Sequence, residues 1–114
     1  MTIRRAIGTA AALVLAAAGV ASAQSREQIH EGQEVFTAQK CSICHSVAGK
    51  GNAKGVLDGV GSKLSADEIR QWITDAPAMA AKVKAERKPP MKAFTSLSKE
   101  HLDALVAFLQ SLKK

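Results

Sequence analysis

Tyrosine is missing from the 114 residues, and one tryptophan and three phenylalanines supply all the aromatic bulk. So little aromatic surface leaves few platforms for stacking unpaired bases, and arginine forks for reading base edges are scarce as well. Beyond residue 23 eleven lysines stand against three arginines. A nucleic-acid reader is therefore disfavoured despite a formal net charge of +6. Strand signals are also lacking: after residue 24 no run alternates β-branched or aromatic residues with polar ones. Cysteine occurs only twice, as Cys41 and Cys44, too few and too close together for a disulfide framework.

What is present divides at residue 23. Arg4 and Arg5 give a positive start, Ala6–Val20 is an almost unbroken apolar run, and Ala21-Ser22-Ala23 has the small-x-small form of a cleavage site. This is the pattern of a signal peptide spanning residues 1–23, removed on export to the periplasm. A transmembrane span needs about 20 predominantly apolar residues, more than this alanine-rich run supplies. No cysteine follows it, which argues against a lipid anchor. The remaining residues 24–114 keep 14 of the 16 basic side chains and all 10 acidic ones, a formal charge of +4. A single domain of that size has a marginal core and gains from a staple, a metal or a cofactor.

Three amphipathic stretches point to an all-α domain. The first is expected to begin after Ser25, with Gln28 as capping partner, to carry Ile29, Gly32, Val35 and Phe36 on one face, and to end at Cys41. The second has Ser65 and Glu68 as a capping box, Leu64 and Ile69 as a hydrophobic staple, a stripe of Ile69, Trp72 and Ile73, and Pro77 as its stop. Residues 78–86 offer a short further helical piece with Met79 and Val83. The third starts at Ser98 and presents Leu102, Leu105, Val106, Phe108, Leu109 and Leu112 over a wide apolar face. Between the first two, Ala48–Gly61 holds five glycines in 14 residues, as suits either a chain that wraps closely around an object or a flexible surface loop.

The chemistry is concentrated in Cys41-Ser42-Ile43-Cys44-His45. A zinc site needs four ligands, or three and a water, usually from separated pairs, and only His30 and His101 remain as further imidazoles. A redox dithiol belongs at a helix start in a strand-containing fold. A disulfide closing so small a loop adds little stability. The remaining reading is covalent haem: the spacing places both thiols on one turn, with His45 next to them as an iron ligand. C-x-x-C-H is the haem-attachment signature, and a buried porphyrin would supply the apolar centre that a chain poor in aromatics lacks.

The segments "GQEVFTAQKCSICHSV", "LSADEIRQWI", "KPPMKAF" and "LSKEHLDALVAFLQSL" together resemble class I monohaem cytochromes c, over essentially all of residues 26–112. The resemblance implies three main helices around one haem c, with the first and last crossing at Gly32 and Phe36 against Leu105 and Phe108. It implies covalent attachment at Cys41 and Cys44, and axial iron ligation by His45 and Met91. Met91 also follows Pro89 and Pro90, whose fixed φ suits a segment that holds a thioether against a metal. Met79, His30 and His101 are the other distal candidates; the histidines suit solvated surfaces and Met79 suits core packing. Family members often carry a proline whose carbonyl accepts the proximal histidine's N–H, and Val56 stands near that place here. Trp72 is core in the simplest reading, and in some relatives a tryptophan meets a haem propionate.

A periplasmic one-electron carrier, not an enzyme, follows from these expectations. Its redox partners are expected to bring acidic patches to Lys40, Lys50, Lys54, Lys88 and Lys92. The rival readings are a cytochrome subunit of a larger oxidoreductase complex, and a haem enzyme or gas-binding protein with an open distal site. Mass spectrometry of the exported protein should find Gln24 at its N-terminus; Met1 retained in a membrane fraction would contradict the leader.

Overall fold

The computed structural model describes residues 16–114, with side chains from Arg26 onward. Most of the expected leader lies outside the described residues. Helix α1 spans Ala16–Ala38 and so runs straight through Ser25, which is not the helix start expected for it. The residues before Ser25 contain no proline and are rich in alanine, the strongest helix former, so nothing local stops the helix there. Its end comes at Ala38, and Lys40, in the left-handed region at φ 59°, turns the chain into a 3₁₀ turn over Cys41–Ile43.

The glycine-rich segment is not a plain loop. Strands β1 (Ser46–Val47) and β2 (Lys50–Gly51) form an antiparallel hairpin with Ser46 opposite Gly51 and Val47 opposite Lys50. Ala48 and Gly49 join them with positive φ at both positions, the geometry that matches strand twist in a two-residue turn. Two residues per strand are too few to show a period in the sequence. A second 3₁₀ turn, Ala53–Gly55, follows, and then the short helix α2, Val60–Lys63.

Helix α3, Ala66–Thr74, opens with the expected capping box: Ser65 Oγ accepts from Glu68 N–H, and Glu68 Oε1 accepts from Ser65 N–H. It stops before Pro77, which instead lies in the first turn of α4, Ala76–Val83. A proline there loses no hydrogen bond that a first-turn N–H could make. Helix α5, Lys99–Ser111, starts at Ser98, whose Oγ accepts from His101 N–H at 3.1 Å.

Packing follows from the apolar faces. Val35 and Phe36 of α1, Ile69 and Ile73 of α3, and Leu105, Val106, Phe108 and Leu109 of α5 form the buried core. The α1–α5 crossing is its most extensive contact, and Phe36 meets Phe108 edge-on with ring centroids 5.7 Å apart. Such a pair contributes about 0.5–1.5 kcal/mol beyond burial. Gly32 lets the helices approach: a Cβ there would strike the Ala104 carbonyl oxygen and lie 2.6 Å from Phe108 Cβ. On the outer side Arg70 of α3 pairs with Asp103 of α5 at 2.8 Å, and Lys99 holds the same carboxylate at 3.0 Å.

Gly32→Ala should destabilise the domain by about 1–3 kcal/mol, the usual cost of overpacking, although alanine is the better helix former. Urea denaturation monitored by helical circular dichroism measures it.

Candidate functional site

Cys41 and Cys44 lie on the 3₁₀ turn after α1, half-buried and not joined to each other. The turn is held through its backbone. Cys41 O accepts from the N–H groups of Cys44 and His45 at 3.1 and 2.9 Å. Asn52 N–H lies 3.2 Å from Ser42 O and 3.1 Å from His45 O, and Asn52 Nδ2 donates to Ile43 O at 3.1 Å. Arg87 Nη2 donates to Cys44 O. All five carbonyls from Cys41 to His45 thus have partners, and four of them are met by Asn52 or Arg87 from later in the chain.

His45 is oriented from the same side. Its Nδ1 lies 3.1 Å from Gly55 O. A carbonyl only accepts, so Nδ1 carries the proton and Nε2 keeps the free lone pair that a metal requires. Burial, with a smaller contribution from the Arg87 charge, pushes the imidazole pKa below its ordinary value and favours the neutral ligating form. The accepting carbonyl belongs to Gly55, the residue before Val56, so no proline is needed in this position. Gly55 itself admits no side chain, since a Cβ would collide with Cys44 O and the Arg87 guanidinium and come within 2.9 Å of His45 Nδ1. Burial also raises the Cys41 thiol to about 11.

These groups face a cavity of about 630 Å³, well inside the roughly 300–1,000 Å³ range of sites that enclose a small organic ligand. Cys41, Cys44 and His45 line one side, and Pro89, Pro90 and Met91 approach from the segment between α4 and α5. Core residues such as Phe36, Ile69, Ile73, Leu105 and Leu109 supply apolar walls, and Trp72 is among the lining residues. Phe94 N–H donates to Ile73 O at 2.8 Å and pins the Met91 segment to α3. An apolar cavity whose lining includes two thiols, an imidazole with a free Nε2 and a thioether fits a flat apolar macrocycle with a metal at its centre. It does not resemble a four-ligand metal cage, and among the described residues no cluster of three His, Cys, Asp or Glu could hold a bare ion.

The other distal candidates lie elsewhere. Met79 is on α4 and does not line the cavity. His30 pairs with Glu34 at 3.2 Å on the exposed side of α1, and His101 lies 3.9 Å from Glu31. Of the five lysines singled out, Lys40 and Lys92 line the cavity, and Lys92 Nζ sits 5.0 Å from the Phe94 ring centroid. Lys50, Lys54 and Lys88 are exposed on the flanking loops. Asn52 and Arg87 escaped the sequence reading. Arginine is rare in this chain, and an arginine four residues before Met91 is the one signal that was available.

A family model described as Cytochrome c matches residues 29–113. Among curated proteins, cytochrome c oxidase subunit 2 of Alkalihalophilus pseudofirmus is 29% identical over 94 residues, a match covering 74% of this chain and 25% of that protein. The chain therefore spans about a quarter of the length of that relative. No solved structure matches.

Gly55→Ala should force the loop away from the His45 ring and cost about 1–3 kcal/mol through overpacking and the lost hydrogen bond. A lowered urea midpoint in the purified protein, with the helical signal intact below it, is the expected result.

Proposed function

The chain belongs to the cytochrome c family, and we propose that residues 24–114 act as a class I, monohaem electron carrier, exported to the periplasm after removal of residues 1–23. The observation that carries this reading is that one cavity collects both thiols of C-x-x-C-H, the His45 imidazole and Met91. Haem c, when bound, supplies a one-electron Fe(II)/Fe(III) couple. The side chains have separate tasks. Cys41 and Cys44 would hold the group covalently through their sulfurs. His45 offers Nε2 to the iron while Gly55 O fixes the ring's tautomer and direction.

Met91, also at the cavity, would supply a thioether as the second iron ligand, and His/Met ligation would raise the reduction potential. A closed distal position suits outer-sphere electron transfer and not turnover of a substrate. The apolar walls exclude water, and Trp72, which lines the cavity, would be an indole N–H donor for a propionate. Lys40 and Lys92 at the cavity, with Lys50, Lys54 and Lys88 on the flanking loops, form a cationic surface that steers an acidic redox partner. Among the described residues none of these five lysines is engaged in a salt bridge.

Similarity to cytochrome c oxidase subunit 2 favours a second reading, in which the domain works as the cytochrome part of a larger oxidoreductase. Gel filtration of protein drawn from its native compartment separates the two: a free carrier elutes at the size of its own chain.

Absorption spectra of the purified protein test the carrier reading. The reduced form should show the sharp bands of c-type haem, and the oxidised form the weak long-wavelength band of thioether ligation. Met91→Ala should retain covalent haem, lose that long-wavelength band, lower the potential and let the ferrous iron bind carbon monoxide. Ready carbon monoxide binding by the unmodified protein would instead support a haem enzyme or gas sensor, and loss of the band in Met79→Ala would reassign the ligand.

A further inference from the structure

Resting on the carrier reading, we propose that Arg87 is a positioning residue: a strap that ties the Met91 segment to the turn bearing His45 and keeps the distal iron position closed. Arg87 lies in the stretch between α4 and α5 that carries Pro89, Pro90 and Met91. Its Nη2 donates to Cys44 O, the carbonyl of the peptide that leads into His45. Its Nη1 lies so near Gly55 that a Cβ there would collide with it. One guanidinium thus touches both the residue before His45 and the residue whose carbonyl orients the His45 ring.

The segment has few other ties. Residues 81–90 are all exposed. Ala85 N–H donates to Ala80 O at 2.9 Å, closing the end of α4, and the next backbone anchor is Phe94 N–H on Ile73 O. Met91 sits between these two points. Arg87 adds a third anchor, four residues before Met91, and that anchor is on the proximal side of the cavity. Among the described residues Arg87 is in no salt bridge, so its hydrogen bond goes to this backbone and not to a competing carboxylate. A planar fork with several fixed donors suits the task better than the single flexible ammonium of lysine.

Two consequences separate the strap from a charge alone. The hydrogen bond restrains the segment, so its loss lets Met91 leave the iron more often and admits outside ligands faster. The positive charge beside the proximal turn disfavours a further positive charge on the iron, so its loss lowers the reduction potential. Arg87→Gln removes both effects. Arg87→Lys keeps the charge without the fork, and Lys88→Gln removes a charge from the neighbouring exposed position.

The experiment measures imidazole binding to the ferric holoprotein by stopped flow, alongside redox titration, in wild type and these three variants. Arg87→Gln should admit imidazole about tenfold faster than wild type, the factor expected for one charge-assisted hydrogen bond, and its potential should fall. Arg87→Lys should keep the potential but share the faster entry, and Lys88→Gln should bind imidazole at the wild-type rate. A wild-type rate in Arg87→Gln, with the methionine band present in every protein, overturns the strap and leaves the carrier reading standing. A wild type that binds imidazole at once and lacks the methionine band overturns the carrier reading. The strap is then decided by hydrogen exchange across residues 84–96 of the holoprotein: faster exchange in Arg87→Gln than in Lys88→Gln supports it, and equal exchange refutes it.

Discussion

Backbone-to-backbone approach between α1 and α5 is the constraint on which the other contacts depend. Gly32 removes the one side chain that would separate the helices from the Ala104 carbonyl. With the axes this close, Phe36 reaches Phe108 edge-on, and the apolar face of α5 turns toward α3. Ile69, Ile73, Leu105 and Leu109 then serve twice, as core residues and as cavity wall. The Arg70–Asp103 pair holds the outer edge of the α3–α5 contact. Being only partly buried, it adds little stability of its own.

The cavity is framed by two segments of opposite character. On one side, a short turn has its carbonyls met one after another by Asn52, Arg87 and its own N–H groups. Preorganisation there is a matter of backbone hydrogen bonds, and the His45 ring inherits its direction from them. On the other side, the segment around Met91 is mostly exposed, and its ties are Pro89, Pro90, the Phe94–Ile73 hydrogen bond and the reach of Arg87 to Cys44 O. The cavity thus combines a stiffly held imidazole with a thioether on a lightly tethered segment.

Much of the fold was legible wherever a side chain announces its own partner. Ser65 with Glu68 marked a helix start, Ser98 marked another, and Gly32 with Phe36 marked the crossing. The C-x-x-C-H motif stood out for the same reason, because its residues are recognised by type and spacing alone. The failures share a different cause. Helix α1 continued through Ser25 because a capable cap does not act where the preceding residues are themselves good helix formers. The hairpin at Ser46–Gly51 was too short to carry a period, and Pro77 is equally at home just after one helix or just inside the next. Asn52 and Arg87 were missed because their acceptors are main-chain carbonyls, which look alike at every position in a sequence.

The cavity lining runs from Phe36 to Leu109, so its walls come from nearly every part of the domain. No single helix, and no adjacent pair, encloses the space. Contacts such as Gly32 with Ala104 join positions far apart in the chain, and non-local closure of this kind carries a loop-entropy cost. Leu105 and Leu109 of α5 complete walls that the earlier elements leave open, so enclosure of whatever occupies the centre depends on the two ends of the chain having met.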